Sequence, residues 1–164
     1  MGWRERDNVR FEYRWGVGDT DKHRQNASEL VSLGPDVILA HGSTIMGPRH
    51  RATASIPIVF VSVADPVAGG FVASLSRPGG NTTGFTSFEY AQSGKWIELL
   101  KEIAPSVQRV AMLRDPDQVS GAGQIGALQA AAVSLRIDVL PVGRRDLGEI
   151  ERALQSFAAR PDGG

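Results

Sequence analysis

What most constrains the fold of this chain is an alternation that runs almost from end to end. Short apolar runs rich in β-branched residues are each followed by a longer stretch whose apolar positions recur at helical spacing. The clearest run is Ile56-Pro57-Ile58-Val59-Phe60-Val61-Ser62-Val63, with its proline near the start, where a missing N–H matters least. Asp36 to Ala40 is a second such run, continuous in apolar character, as expected of a strand covered on both faces of a parallel sheet. Ahead of it, Val9 to Trp15 alternates apolar with charged side chains and reads as a first strand with one face buried. Between these runs the spacing predicts helices over 22–33, closed by Gly34-Pro35, and over 44–54, where Pro48 must sit in the first turn or kink the helix.

A short helix over 67–74 is expected next, then the turn Arg77-Pro78-Gly79-Gly80-Asn81 and an extended segment over 82–88. The second half repeats the pattern: a helix over 95–103 with Trp96, Leu99, Leu100 and Ile103 on one stripe, strands at 109–113 and 138–142, and helices at 124–135 and 147–158. Strands alternating with helices predict an α/β fold of parallel βαβ units. In the first half the strands near 9–15, 36–40 and 56–63 should pair in parallel, with Val59 and Val61 buried. The dense turn at Arg77–Asn81 is the expected lobe boundary, dividing 1–83 from 84–164. The second half ends directly after a helix with only two strands of its own, so that lobe reads as incomplete.

Composition removes several classes of function. Formal net charge is zero, and no Lys/Arg stripe interleaves with aromatics, so nucleic acid is not an expected partner. Arg49-His50-Arg51 reads as a solvated helix face. Cysteine is absent, which excludes disulfides, thiolate nucleophiles and Cys-based zinc sites. No apolar stretch approaches the ~20 residues that span a bilayer, so the chain is not membrane-embedded. Met1 to Asn8 has neither the apolar middle nor the cleavage site of a signal peptide, so as written the chain is not addressed for export.

The residues that carry a binding site are expected at strand ends. His41-Gly42-Ser43-Thr44 follows the run ending at Ala40, where doubly wound sheets bind ligands beside helix N-termini and where hydroxyls and N–H groups hold small anions. The plainer role for Ser43 or Thr44 is to cap the next helix, and the two roles are compatible. Ser62-Val63-Ala64-Asp65-Pro66 occupies the equivalent place after the next run, with Asp65 either accepting from a ligand ammonium or simply forming a turn. Arg77 to Gly80 lacks the Gly-Lys-Ser/Thr ending of a phosphate loop. His23, His41 and His50 have no metal-binding spacing, no nucleophile elbow is present, and Asp115-Pro116-Asp117 reads as a loop rather than an acid/base pair. Gly121-Ala122-Gly123-Gln124-Ile125-Gly126 matches the dinucleotide fingerprint letter for letter but lacks an acid at a second strand end. No cofactor is expected.

Several blocks are recognisable together: Asn8 to Trp15, Asp36 to Gly42, Ile56 to Val61 with Asp65-Pro66-Val67, and Leu75-Ser76-Arg77-Pro78-Gly79-Gly80-Asn81-Thr82-Thr83-Gly84, continuing through Lys95 to Pro105 and Arg109 to Leu113. In these the chain resembles the ABC-transporter substrate-binding family that includes tryptophan- and tyrosine-type importer components. The resemblance implies a type I periplasmic-binding fold of two α/β lobes closing on a small solute, an amino acid or similar small carboxylate. It further implies delivery to an ABC permease by the full-length protein, a periplasmic location and no chemical step. By the same resemblance the crevice would be lined by His41, Gly42, Ser43 and Thr44, by Ser62, Val63 and Asp65, and by Thr86 and Phe88 of the crossover. Family members carry a leader, a strand and a helix ahead of the Gly2-Trp3 equivalent and extend past the last helix, so the chain reads as truncated at both ends. Two other classes remain: a nucleotide-binding α/β enzyme domain, resting on Gly121 to Gly126, and the effector-binding core of a transcription regulator, before which no helix-turn-helix stands.

Overall fold

The computed structural model of the chain describes residues 2–16, 19–116, 119–143 and 146–160. In chain order the elements are α1 (Thr20–Ser32), β1 (Ile38–His41), α2 (Ser43–Ala52), β2 (Ile58–Val63), β3 (Thr82–Thr86), α3 (Gln92–Ile103), β4 (Arg109–Arg114), α4 (Val119–Leu135), β5 (Asp138–Gly143) and α5 (Leu147–Ala158). They build two sheets, one ordered β1-β2-β3 and one of β4 beside β5, and every strand pair is parallel. The α/β class and the parallel pairing expected from the alternation are therefore both present.

Register explains which side chains make the core. Ile38 lies opposite Ile58 and Ala40 opposite Phe60, and these side chains share one face with Val63. Met46 of α2 and Val72 of the loop after β2 cover that face, and all of them are buried. Leu39, Val59 and Thr83 form one row of the opposite face, and His41, Val61 and Phe85 the next. On that face Leu39 and Phe85 are exposed and Val59 and Val61 only half-buried. The expected burial of Val59 and Val61 is thus corrected. A continuous apolar run records that both faces are hydrophobic, whereas burial needs a covering layer on each.

Residues 9–15 do not join a sheet. A single bridge between Glu5 and Val9 is the one strand-like pairing of this region among the described residues. Phe11, Tyr13 and Trp15 project to the same side and follow one another with ring centroids 6.1 and 6.2 Å apart, all three exposed. The segment is fastened to α1 instead: Arg14 Nε donates to Glu29 at 2.9 Å and Asn26 Nδ2 to the Trp15 carbonyl at 3.2 Å. Alternation signals an extended backbone with two unlike faces, and pairing requires in addition a neighbouring strand at the right edge.

Two local expectations change as well. The helix foreseen over 67–74 is a single turn: Asp65 Oδ1 accepts from the Ala68 N–H, the Asp65 carbonyl accepts from Gly69, and Gly70 with φ +70° ends the winding. Arg49, expected on a solvated face, is buried beside the core, its Nε without a hydrogen-bond partner, while Arg51 is exposed. Burial lowers the Arg49 pKa from its ordinary value. Pro48 lies inside α2.

The turn at Arg77–Asn81 is held against the chain before β2. Asn81 Nδ2 donates to the Ile56 carbonyl at 2.7 Å and to that of Thr53 at 3.3 Å, and Gly79 takes φ +84°. β3 then pairs with β2 through Thr86, so a boundary at 83/84 falls inside a strand of the first sheet. In the second half Ile97 of α3 packs with Leu128 and Ala132 of α4 and with Ile137. α3 lies along α4, and α2 also touches α4.

Candidate functional site

Parallel pairing brings the carboxyl ends of β1, β2 and β3 to one edge, and the segments leaving them are hydrogen-bonded to one another. Gly42, with φ +86°, starts α2 and donates its N–H to the Val61 carbonyl at 2.9 Å. The Ser43 hydroxyl accepts from the buried Ala64 N–H at 2.9 Å. It therefore ties the first loop to the second and is not the helix cap, a place filled by Gly42. After β2 the backbone is contorted: Ser62 at φ +55° and Asp65 at φ +39° are non-glycine residues in the left-handed region. Such conformations cost of order 1–3 kcal/mol each and persist only where surrounding contacts fix them.

Those contacts come from the end of β3 and the crossover that follows it. The Thr86 hydroxyl donates to the Val63 carbonyl at 2.9 Å, and the Ser87 N–H reaches the same carbonyl at 3.0 Å. The Asp65 N–H donates to the Phe88 carbonyl at 2.9 Å, and Asp65 Oδ2 accepts from the Tyr90 N–H at 3.0 Å. The phenylalanine ring stands edge-on to Tyr90 at 6.2 Å and 6.0 Å from Trp96. Burial raises the Tyr90 phenol above its ordinary range, and the negative charge of Asp65 adds to the effect.

The structure thus brings His41, Gly42, Ser43, Thr44, Ser62, Val63, Asp65, Thr86 and Phe88 into one region, with different access. His41, Ser62 and Thr86 are exposed, and Gly42, Ser43, Thr44, Asp65 and Phe88 half-buried. Val63 is wholly buried in the first core, and its carbonyl is already engaged, so its side chain does not face a crevice. Both carboxylate oxygens of Asp65 accept from backbone N–H groups, the geometry of its turn-forming role. Tyr90 and Trp96, which the sequence reading does not place here, border the region through their contacts with Phe88; for Tyr90 the spacing Phe88-Glu89-Tyr90 is the signal. The N-terminus of α2 faces the same edge, where backbone N–H groups and the helix dipole favour a carboxylate.

The other motifs resolve differently. Gly121, Gly123 and Gly126 lie inside α4, not on a loop ahead of it. The place a Gly123 Cβ would occupy is 2.3 Å from the Tyr90 ring, and that of Gly121 lies 3.4 Å from the Arg114 guanidinium, so side chains fill the approach a pyrophosphate needs. Asp117 of the Asp115-Pro116-Asp117 loop and the segment Pro161 to Gly164 lie outside the described residues. Among the described residues no group of three His, Asp or Glu could hold a metal, and no helix is long and apolar enough to cross a membrane. A groove of about 660 Å³ lies between β5 and α5, walled by Leu140, Val142, Glu149, Arg152 and Phe157. The Arg109 guanidinium at its edge sits 4.5 Å over the Phe157 ring and donates to the carbonyls of Phe157 and Arg160. The groove shares no residue with the strand-end loops.

Comparison with known proteins gives the relatives of this chain. A sequence profile described as ABC transporter substrate binding protein matches residues 1–163. A tyrosine-binding protein from Clostridioides difficile (strain R20291) is 28% identical over 161 residues, covering 98% of this chain and 46% of the relative. A crystal structure of a conserved domain protein from Vibrio cholerae superposes with a TM-score of 0.81 at 28% identity, covering 96% of this chain and 52% of that one. The fold is shared as well with a Streptococcus pneumoniae ABC domain solved in complex with L-Trp, with a TM-score of 0.73 at 23% identity over 87% of this chain and 48% of that one. The chain spans about half the length of the relatives it matches.

Proposed function

Because the chain belongs to the ABC transporter substrate-binding protein family, we propose that its strand-end loops 41–44 and 62–65, with the crossover 86–88, form one wall of a crevice that takes a free amino acid or similarly small carboxylate. The family is one of binding proteins, and no chemical step is assigned. The observation that carries the reading is the convergence of these three segments at the carboxyl ends of parallel strands, locked by Ser43, Thr86 and two left-handed residues. The N-terminus of α2 and the Ser62 hydroxyl would meet the carboxylate, and the aromatic group of Phe88, Tyr90 and Trp96 borders the same region. The tyrosine-binding relative supports an amino acid as the ligand class. In this reading residues before the crossover belong to one lobe and α3 to α5 to a second, the protein acts outside the cytoplasm, and an ABC permease receives the captured solute.

Clamshell proteins draw their affinity from both lobes at once. A chain spanning about half the length of its relatives should therefore hold the ligand weakly, with a Kd of about 1 mM or above. Calorimetric titration of amino acids and small organic acids tests this. Weak binding of amino acids, reduced further by Ser43→Ala, is expected. Micromolar binding would show that the crevice is complete within these residues, and binding of nucleotides in place of amino acids would overturn the class.

A further inference from the structure

We infer that Asp65 is a positioning residue, a clasp that holds the crossover Phe88-Glu89-Tyr90 against the end of β2 and so sets the pivot between the two sheets. Asp65 makes three bonds that matter here. Its N–H donates to the Phe88 carbonyl at 2.9 Å, its Oδ2 accepts from the Tyr90 N–H at 3.0 Å, and its Oδ1 accepts from the Ala68 N–H at 3.0 Å. Two of these cross from the loop after β2 to the segment that leads from β3 into α3, the one covalent path from the first sheet to the second. The third closes the single turn that follows Asp65 and fixes the carboxylate that reaches Tyr90.

The backbone at Asp65 is itself held at φ +39°, a conformation that a β-carbon disfavours and that Asp and Asn tolerate better than most residues. With each carboxylate oxygen holding a backbone N–H, Asp65 acts on the crevice through Phe88 and Tyr90. Tyr90 in turn occupies the hollow that Gly123 leaves in α4, so the clasp extends from β2 through the crossover into the second half. The inference rests on the crevice reading for its functional meaning: a pivot matters where two lobes close on a ligand.

The test needs no ligand, so its failure is separable from failure of that reading. The chain has no cysteine, so S55C with Q129C, two exposed positions in the first and second halves, carry spin labels at defined places. Asp65→Asn keeps the left-handed backbone and loses one of the two carboxylate bonds. Asp65→Gly removes both and relieves the φ. In Asp65→Gly the distance distribution between the labels should broaden and the Tyr90 amide should exchange about tenfold faster or more, with Asp65→Asn between it and the parent chain, and Ile58 and Phe60 should stay as protected as in the parent chain. An unchanged distribution with unchanged Tyr90 exchange would overturn the clasp. So would loss of protection at Ile58 and Phe60 in both variants, since Asp65 would then serve folding of the first core and not the pivot.

Discussion

Gly84→Ala should be a severely damaging single-methyl change. Gly84 sits on β3 opposite Phe60 of β2, and a Cβ there would lie 2.0 Å from the Phe60 carbonyl oxygen and 2.6 Å from its nitrogen. Ordinary contact begins near 3.4 Å, so β3 must retreat by roughly 1.4 Å (3.4 minus 2.0). The obstacle is backbone, which has no rotamer to change. A retreat of that size stretches the neighbouring β2–β3 hydrogen bonds past useful length, at about 1 kcal/mol each, and adds overpacking strain of about 1–3 kcal/mol. The sum, about 3–5 kcal/mol, is a large part of the ~5–15 kcal/mol that stabilises a domain. It acts on the site as well, because β3 carries Thr86 and sets the start of the crossover. Urea unfolding followed by circular dichroism measures the loss, with Gly80→Ala as the control, where nothing lies within 4 Å. A loss below about 1 kcal/mol for Gly84→Ala would refute the reasoning.

Replacing the buried Arg49 by Met should raise stability by about 1–2 kcal/mol in the same assay, because a buried cation with its Nε unpaired and no ion pair among the described residues costs more than an apolar side chain of similar volume; a loss would mean that its guanidinium has a partner of value. Tyr90 holds its proton more tightly folded than unfolded, so its contribution is fully present below its ordinary pKa of 10.0 and is lost as pH rises through the higher folded value. The fall in urea midpoint between about pH 9 and about pH 11 should accordingly be shallower in Tyr90→Phe, and an equal fall in both proteins would contradict the assigned cause. Finally, the chain should not bind NAD or FAD, since Gly121 and Gly123 are inside a helix with their open sides filled; saturable binding by calorimetry, abolished by Gly121→Ala, would restore the enzyme reading.

The sequence made the order of elements legible because parallel βαβ units need both periods, and Ile58–Val63 and Leu147–Ala158 lie where their patterns placed them. It was less informative where the outcome depends on a neighbour. Val9 to Trp15 has the period of a strand, but pairing is decided by what lies beside it, and here Glu29 and Asn26 of α1 hold it. The β-branched run points Val59 and Val61 to the interior, whereas exposure is set by whether a layer covers their face. Arg49 was assigned to the surface by charge, and packing around α2 put it inside. For the site, the rule that ligands meet the carboxyl ends of parallel strands points to the edge where segments 41–44, 62–65 and 86–88 converge. The commitments of individual atoms, such as both oxygens of Asp65 to Ala68 and Tyr90, depend on backbone placement that no local pattern records.

The central claim is the location of the ligand wall, and backbone amide chemical shifts read it residue by residue even when binding is weak. Titrating L-tyrosine and L-tryptophan to millimolar concentration into the isotopically labelled chain should shift the amides of His41 to Thr44, Ser62 to Asp65 and Thr86 to Phe88. The groove residues Leu140, Val142, Arg152 and Phe157 should stay where they are. Shifts confined to that groove, or none at the three strand-end segments at the highest ligand concentration, would contradict the account.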